Sequence, residues 1–390
     1  MHLSRIMVFK GYTKRDTSII KGFGILCIVL HNYFHWRPPS PGENEFDFSP
    51  ERVFAFFSLL GEKPGEFINV LFSYLGHYGV QLFVLISGFG LAISMMNHPR
   101  TWESFVVSRL KKLYPLLLVG ILFFILSYMV IYMKQIGSYE KTELWRKLLL
   151  IHTLIPNSGM SVNGPWWFFG LIFQLYLLFP YLNRWISRWG WKVFALVCVV
   201  SYVLMFVFRG ELVMMNAPGH LPEFCLGILL AYSKDKKINI LWLITAVVVF
   251  CLGNCYEVFY PFTFLSLTVI TVFAYQGLKS IPVKKTVLSR PLVYLGGISM
   301  VLFATHAVFR DPIIKISWNY GAGALWNLWT GVLYLLIAWG VAVSAKILYD
   351  YIESHLDRIK IPENRLTHVI GIVSQVAIVV SFACVLVKFY

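Results

Sequence analysis

The sequence has 390 residues, of which 58% are apolar and only 14% are charged, whereas a soluble globular domain carries roughly 25% charged residues. This composition excludes a water-soluble protein and predicts one that resides in the lipid bilayer. The formal net charge of +15 would suit nucleic-acid binding in a soluble chain. In a membrane protein the basic residues first report topology, so we expect no nucleic-acid partner.

Eleven apolar segments approach the roughly 20 residues that a helix needs to cross about 30 Å of hydrocarbon. They are 17–36, 68–96, 113–133, 165–183, 191–208, 219–233, 238–253, 258–276, 291–310, 324–348 and 367–388. The sixth and seventh are short, and a further apolar stretch at 144–155 is too short to cross, which predicts an interfacial or re-entrant segment. The predicted fold class is all-α, a polytopic transmembrane bundle of about 10–11 spanning helices.

Lysine and arginine are distributed unequally between the two sides of this map. With a cytoplasmic N-terminus, the inner segments hold 23 of the 34 basic residues and the outer segments hold 11, as the positive-inside rule requires. The first outer loop is acidic instead. We therefore predict a multi-pass protein of the bacterial cytoplasmic membrane, with 1–390 as one transmembrane domain, a core at about 17–348 and an additional C-terminal helix at 367–388.

The first span carries the ionisable residues most suggestive of chemistry. Lys21 stands at its inner boundary, and helical rise places His31 about 15 Å further out, with His35 one turn beyond. Ionisable groups within a bilayer are costly and are functional candidates. A neutral histidine there is a candidate general base; the alternative is a histidine that only hydrogen-bonds a neighbouring helix.

Two basic residues follow the second span in the run SRLKKLYP. Arg109 and Lys112 are three positions apart and share a helix face beside Tyr114. Such a pair can bind phosphates. It can equally be a positive-inside anchor.

The later spans contribute three further candidates. In span four Gln174 and Tyr176 lie deeper than the interfacial tryptophans, and a polar group at that depth needs a partner. In span nine His306 lies about 22 Å from the inner boundary.

The six cysteines have neither CxxC nor zinc-type spacing, so we expect no metal. P-loop, GxSxG and HExxH motifs are also absent.

Several runs, in this order, resemble acyltransferase family 3 of bacterial membrane proteins. The runs are IIKGFGILCIVLHN, YGVQLFVLISGFGLAIS, RLKKLYP, PWWFFGLIFQLYLLFPYL, LPEFCLGILLAY and LGGISMVLFATHAV. The resemblance implies an enzyme that transfers acyl groups other than amino-acyl groups. It implies acyl-CoA, expected to be acetyl-CoA, as the donor and a cell-envelope or exported glycan as the acceptor.

The resemblance also implies site residues. The basic residue and histidine of the family's first helix correspond to Lys21 and His31, and its Arg-x-x-Arg pattern corresponds to Arg109 and Lys112. Three departures matter. Asn32 occupies the usual histidine spacing, which leaves His31 and His35 as alternative bases. Lys112 lacks the bidentate geometry of arginine. Many relatives have a glutamate just before the glutamine of span four; Glu223 is a possible substitute here.

The expected reaction is therefore O-acylation, with phosphates at the inner face, histidines in the outer half, and Gln174 or Tyr176 stabilising the oxyanion. A transporter or flippase for a small or lipid-linked substrate is the alternative. Against it, the spans contain few acidic residues and the sequence shows no paired broken helices. A structural membrane subunit without activity is a third reading.

Overall fold

The computed structural model describes residues 6–131, 133, 135–280 and 289–358. Most of these residues are helical. The helices, in chain order, are α1 Lys14–Phe34, α2 Pro50–Glu62, α3 Phe67–Leu75, α4 Gly79–Asn97, α5 Trp102–Val130, α6 Ser138–Leu148, α7 Trp167–Trp189, α8 Trp191–Phe208, α9 Glu211–Met214, α10 Ala217–Ala231, α11 Leu241–Gly253, α12 Thr263–Ser280, α13 Ser289–Thr305, α14 Arg310–Tyr320 and α15 Ala324–Arg358.

Eight helical stretches among the described residues are long and apolar enough to cross a membrane, which confirms the all-α polytopic bundle. They are Lys14–Phe34, Pro64–Asn97, Trp102–Val130, Gly164–Trp189, Trp191–Phe208, Glu257–Lys279, Ser289–Tyr320 and Ala324–His355. The predicted sixth and seventh spans correspond to the shorter helices α10 and α11. The predicted eleventh span, 367–388, lies outside the described residues.

Glycines let the first helix pack very closely on α13. A Cβ atom at Gly22 would lie 2.0 Å from the Leu292 carbonyl oxygen, and one at Gly296 would lie 1.9 Å from the Ser18 carbonyl oxygen. Small residues allow this backbone approach between helices in lipid. The contact fixes the helix that carries His31 against the segment that leads to His306.

The apolar stretch at 144–155 does not form a crossing helix. At the start of α6, Tyr128 Oη donates to Glu140 Oε1 at 3.0 Å; at its end, Tyr114 Oη donates to the Leu148 carbonyl oxygen at 3.0 Å. The two tyrosines are about 21 Å apart along α5, so α6 lies alongside α5. The chain then turns through residues 149–163 and enters α7.

Two long apolar stretches are interrupted by 3₁₀ turns. Gly76–Tyr78 separates α3 from α4, and His306–Phe309 separates α13 from α14. Such turns inside a helix often mark functional positions. Each of these two contains a buried histidine, His77 and His306.

A two-stranded antiparallel sheet joins the N-terminal segment to the loop after α10. Strand β1 Ile6–Val8 pairs with β2 Lys237–Asn239. Paired strands must lie on the same side of the membrane, and the charge distribution assigns both segments to the cytoplasm. The pairing therefore requires an even number of crossings between the two segments, and the predicted map places six there.

Candidate active site

An open cavity of about 600 Å³ lies where α1 ends, within the 300–1,000 Å³ typical of small-molecule sites. Its walls come from the ends of α1 and α5, the loop before α2, the turn before α4, the loop before α7 and the start of α14. The charge distribution of the sequence predicts that this end of the bundle faces outward. Its polar lining includes His31, His35, Glu43, Glu45, His77 and Asn163.

His31 presents one defined ring nitrogen to this cavity. Its side chain is 7% exposed, and Nδ1 lies 3.1 Å from the Phe72 carbonyl oxygen. A carbonyl oxygen only accepts hydrogen bonds, so Nδ1 carries the hydrogen and Nε2 keeps its lone pair. An imidazole held in this tautomer can accept a proton at Nε2.

The acidic outer loop supplies a carboxylate beside this histidine. Glu43 contacts His35 Nδ1, and one ligand atom from each of His31, His35 and Glu43 lies within 4.8 Å of the other two. Sequence reasoning used this loop only for topology and missed Glu43. The available signal was an acidic loop that directly follows a helix ending in two histidines.

His77 is a further residue of the cavity that the sequence analysis did not single out. Its ring centre lies 5.7 Å from that of His31, its side chain is 2% exposed, and neither ring nitrogen has a hydrogen-bond partner among the described residues. The 3₁₀ turn before α4 places it there. The sequence signal was its position just before the run YGVQLFVLISGFG.

The match to known families decides what kind of protein contains this cavity. The model of the family described as an acyltransferase domain matches residues 17–349. The chain belongs to acyltransferase family 3. Family membership makes it an acyl-transferring membrane enzyme. No curated protein and no solved structure matches the chain.

In this acyltransferase His306 is buried next to the cavity, between residues that line it. Its Nδ1 donates to the carbonyl oxygens of Leu302 and Phe303 at 3.2 and 2.9 Å, and its backbone oxygen accepts from Tyr334 Oη at 2.9 Å. Its Nε2 has no partner among the described residues. The adjacent Ala307 lines the cavity, whereas His306 itself does not.

Gln174 and Tyr176 lie away from this cavity, although both were predicted to face the reacting atoms. Gln174 Nε2 donates to Thr153 Oγ1 at 3.2 Å and to Asn216 Oδ1 at 2.5 Å. Its Oε1 accepts from the backbone N–H of Ala217 at 2.9 Å. These bonds hold the segment after α6 and the start of α10 against α7. Neither Gln174 nor Tyr176 lines the cavity.

Glu223, proposed as a partner for the catalytic histidine, instead pairs with a histidine on its own helix. Its Oε1 lies 2.8 Å from His220 Nδ1, and both side chains are fully buried. The His220 ring stacks between Trp167 and Phe264, with ring centres 5.5 and 5.2 Å away. The structure thus brings Glu43, and not Glu223, to His31.

The Glu45 carboxyl is a buried acidic group at the wall of the cavity. Its backbone oxygen accepts from Tyr260 Oη at 2.5 Å, and its side chain is 8% exposed. Burial, with a contribution from the charge of Glu43, raises the pKa of Glu45 well above its usual range, because a low-dielectric site disfavours the charged form. A protonated carboxyl can donate a hydrogen bond.

Asn163 supplies a second donor, from the loop that precedes α7. Its Nδ2 has no hydrogen-bond partner among the described residues, and its side chain lines the cavity. The preceding Val162 has a φ of 62°, which is rare for a β-branched residue and indicates local strain. Further back in the loop, Ser158 and Ser161 both donate to the buried Glu143.

The basic residues predicted to bind phosphates lie on α5 and α1. Arg109 and Lys112 share the uninterrupted helix α5, and the Arg109 guanidinium lies 5.5 Å from the centre of the Phe105 ring. Tyr176 is close enough to Arg109 to interact electrostatically. Lys21 lies on α1. Tyr114, predicted beside the phosphates, donates its hydroxyl to Leu148 and so holds the end of α6.

Proposed function

We propose that this membrane acyltransferase moves an acyl group, with acetyl as the expected group, from cytoplasmic acyl-CoA to a hydroxyl of a cell-envelope or exported glycan. The observation that carries the proposal is the state of His31. Its Nδ1 donates a hydrogen bond to the Phe72 carbonyl oxygen, so Nε2 keeps its lone pair and can act as a base at the wall of a cavity of about 600 Å³. The cavity lies at the end of the bundle predicted to face outward, where a glycan would arrive.

The reaction begins with transfer of the acceptor hydroxyl proton to His31 Nε2 as the oxygen attacks the thioester carbonyl carbon. The tetrahedral intermediate then collapses, the carbon–sulfur bond breaks, and the coenzyme A thiolate takes the proton from the imidazolium. The negative charge of Glu43, which contacts His35 and lies near His31, stabilises the transient imidazolium through space. His35 contacts this carboxylate through Nδ1 and orients it.

Two groups of the cavity are suited to stabilise the oxyanion of the intermediate. Asn163 Nδ2 and the carboxyl of Glu45, which donates a hydrogen bond when protonated, are both largely buried at the wall of the cavity. Donors fixed before the reaction are worth several kcal/mol when they meet developing charge. We assign this role to them because Gln174 and Tyr176 do not line the cavity.

The donor would enter from the opposite face. Arg109, Lys112 and Lys21 belong to segments that the charge distribution places at the cytoplasmic side. A guanidinium can bind two phosphate oxygens at once, so Arg109 contributes most to binding of the coenzyme A phosphates. The acyl thioester would then extend into the bundle toward His31.

The test is acyl transfer by the purified full-length protein in detergent. Radiolabelled acetyl-CoA is supplied with an extract of envelope glycan, and label in the glycan is counted for wild type, His31→Ala, His35→Ala and the exposed-residue control His98→Ala. We expect His31→Ala to lower transfer by at least about 100-fold, the usual contribution of a general base, while the control retains it. Full activity in both His31→Ala and His35→Ala would contradict the base assignment.

A further inference from the structure

We propose that His31, His35 and Glu43 also form a zinc-binding site at the wall of the cavity. One ligand atom from each lies within 4.8 Å of the other two. Tetrahedral Zn²⁺ with bonds of about 2.0–2.2 Å needs ligand atoms about 3.3 Å apart. Small side-chain rotations therefore suffice to enclose the ion.

The backbone places the two histidines on one helix face. His31 lies in the last turn of α1, and His35 continues it with helical φ and ψ of −58° and −34°. Residues four apart in a helix point in the same direction, as in the paired zinc ligands of helical metalloprotease motifs. Glu43 reaches the same point from the following loop.

The hydrogen bond of His31 is the kind that supports a metal ligand. Metal-bound histidines usually donate their second ring N–H to a backbone carbonyl or carboxylate, which fixes the ring and its tautomer. His31 Nδ1 does this with Phe72 at 3.1 Å, leaving Nε2 for the metal.

His77 provides an independent observation that points to a ligand here. It is 2% exposed, lines the same cavity and has two ring nitrogens without a hydrogen-bond partner among the described residues. Buried polar atoms without partners call for an explanation such as an ion or water. His77 can bond to a water that completes the coordination of the metal.

The chemical nature of the three ligands determines which metal ion the site prefers. Two imidazoles and one carboxylate suit Zn²⁺, whereas Mg²⁺ and Ca²⁺ prefer all-oxygen sites. Three protein ligands leave a fourth position open to the cavity. Glu43 and His35 have side-chain exposures of 18% and 25%, so the ion can reach the site from the outer face. The sequence expectation of no metal came from cysteine spacing, which cannot detect a ligand brought in by a loop.

Zinc binding has a consequence that rests on the proposed function. The same Nε2 atom cannot bind Zn²⁺ and accept a proton from the acceptor hydroxyl. Occupancy of the site therefore excludes general-base catalysis. Acyl transfer should fall as Zn²⁺ binds.

The experiment measures binding and activity separately on the full-length protein in detergent, after removal of metals with EDTA and desalting. Zn²⁺ is titrated calorimetrically, and Co²⁺ is used as a spectroscopic probe. We expect one Zn²⁺ per chain. Since loss of a supporting group already costs about 10–100-fold in affinity, His35→Ala and Glu43→Gln should weaken binding by at least about 100-fold. His98→Ala should bind as wild type does.

Size-exclusion elution and thermal melting are recorded for every variant, and Glu43→Gln conserves shape, so a folding defect is distinguishable. Wild-type affinity equal to that of both variants would overturn the zinc site. Acyl transfer that is unchanged or raised at saturating Zn²⁺ would overturn the exclusion of base catalysis. If no preparation transfers acyl groups, the proposed function fails while the titration still decides the zinc site.

Discussion

Among single residues, Glu43 and Glu45 of the outer loop are proposed to act differently: Glu43 as a negative charge near the base, and Glu45 as a hydrogen-bond donor. Glu43 contacts His35, and its carboxyl group lies near His31. Glu45 is buried, and its raised pKa favours the protonated form. The two glutamates are only two positions apart in the sequence, so the difference between them comes from their surroundings in the fold.

Replacing each glutamate by glutamine tests this difference. Glutamine mimics a protonated carboxyl, so Glu45→Gln should keep kcat/KM within about fivefold, whereas Glu43→Gln should lower it by about 100-fold through loss of charge beside the base. Steady-state transfer of labelled acetyl groups measures both. Equal losses in the two variants would contradict the different roles proposed for Glu43 and Glu45.

Gln174 has a structural role, because its side-chain amide makes hydrogen bonds between elements and does not line the cavity. Its amide bonds Thr153, Asn216 and Ala217. Gln174→Leu leaves buried polar groups without partners, at a cost of about 1–3 kcal/mol each. We expect a clearly lower melting temperature in detergent. An unchanged melting temperature together with lost activity would return Gln174 to the oxyanion role that its depth suggested.

At the scale of elements, the α1–α13 contact depends on glycine at one position and tolerates a larger residue at the next. A Cβ at Gly296 would clash with Ser18, whereas one at Gly297 has nothing within 4 Å. Gly296→Ala should destabilise the protein by about 1–3 kcal/mol through overpacking, and Gly297→Ala should leave stability unchanged. Thermal melting of the two purified variants decides. Similar melting temperatures would show that the helices separate without cost.

Arg109, on the basic face of α5, is proposed to bind the phosphates of coenzyme A. Arg109→Ala should raise the KM for acetyl-CoA about tenfold or more and change kcat less, as expected when a binding contact is removed. Lys111→Ala is the matched control, since Lys111 has the same sign of charge but points to a different face of the helix. An unchanged KM in Arg109→Ala would leave these residues as topology anchors only.

Across the whole molecule, sequence patterns predicted the helical bundle but not the partners of its histidines. Ten of the eleven segments predicted from hydropathy coincide with helices of the structure. His31, predicted about 15 Å beyond Lys21 along the first span, lies in the last turn of α1. Glu43 and His77 reach the site through a loop and a 3₁₀ turn, which have no periodicity. Gln174 was assigned by depth, but the rotation of α7 points it at Asn216.

In the proposed reaction the acyl group passes from a donor on one side of the membrane to an acceptor on the other, with His31 as the base. Proteoliposomes loaded with labelled acetyl-CoA and given glycan outside test it directly, with orientation determined by protease accessibility. We expect label on the external glycan with wild-type protein and at least about 100-fold less with His31→Ala. Equal labelling by His31→Ala would contradict the assignment of His31 as the base. Transfer that occurs only when donor and acceptor are on the same side would contradict transfer across the membrane.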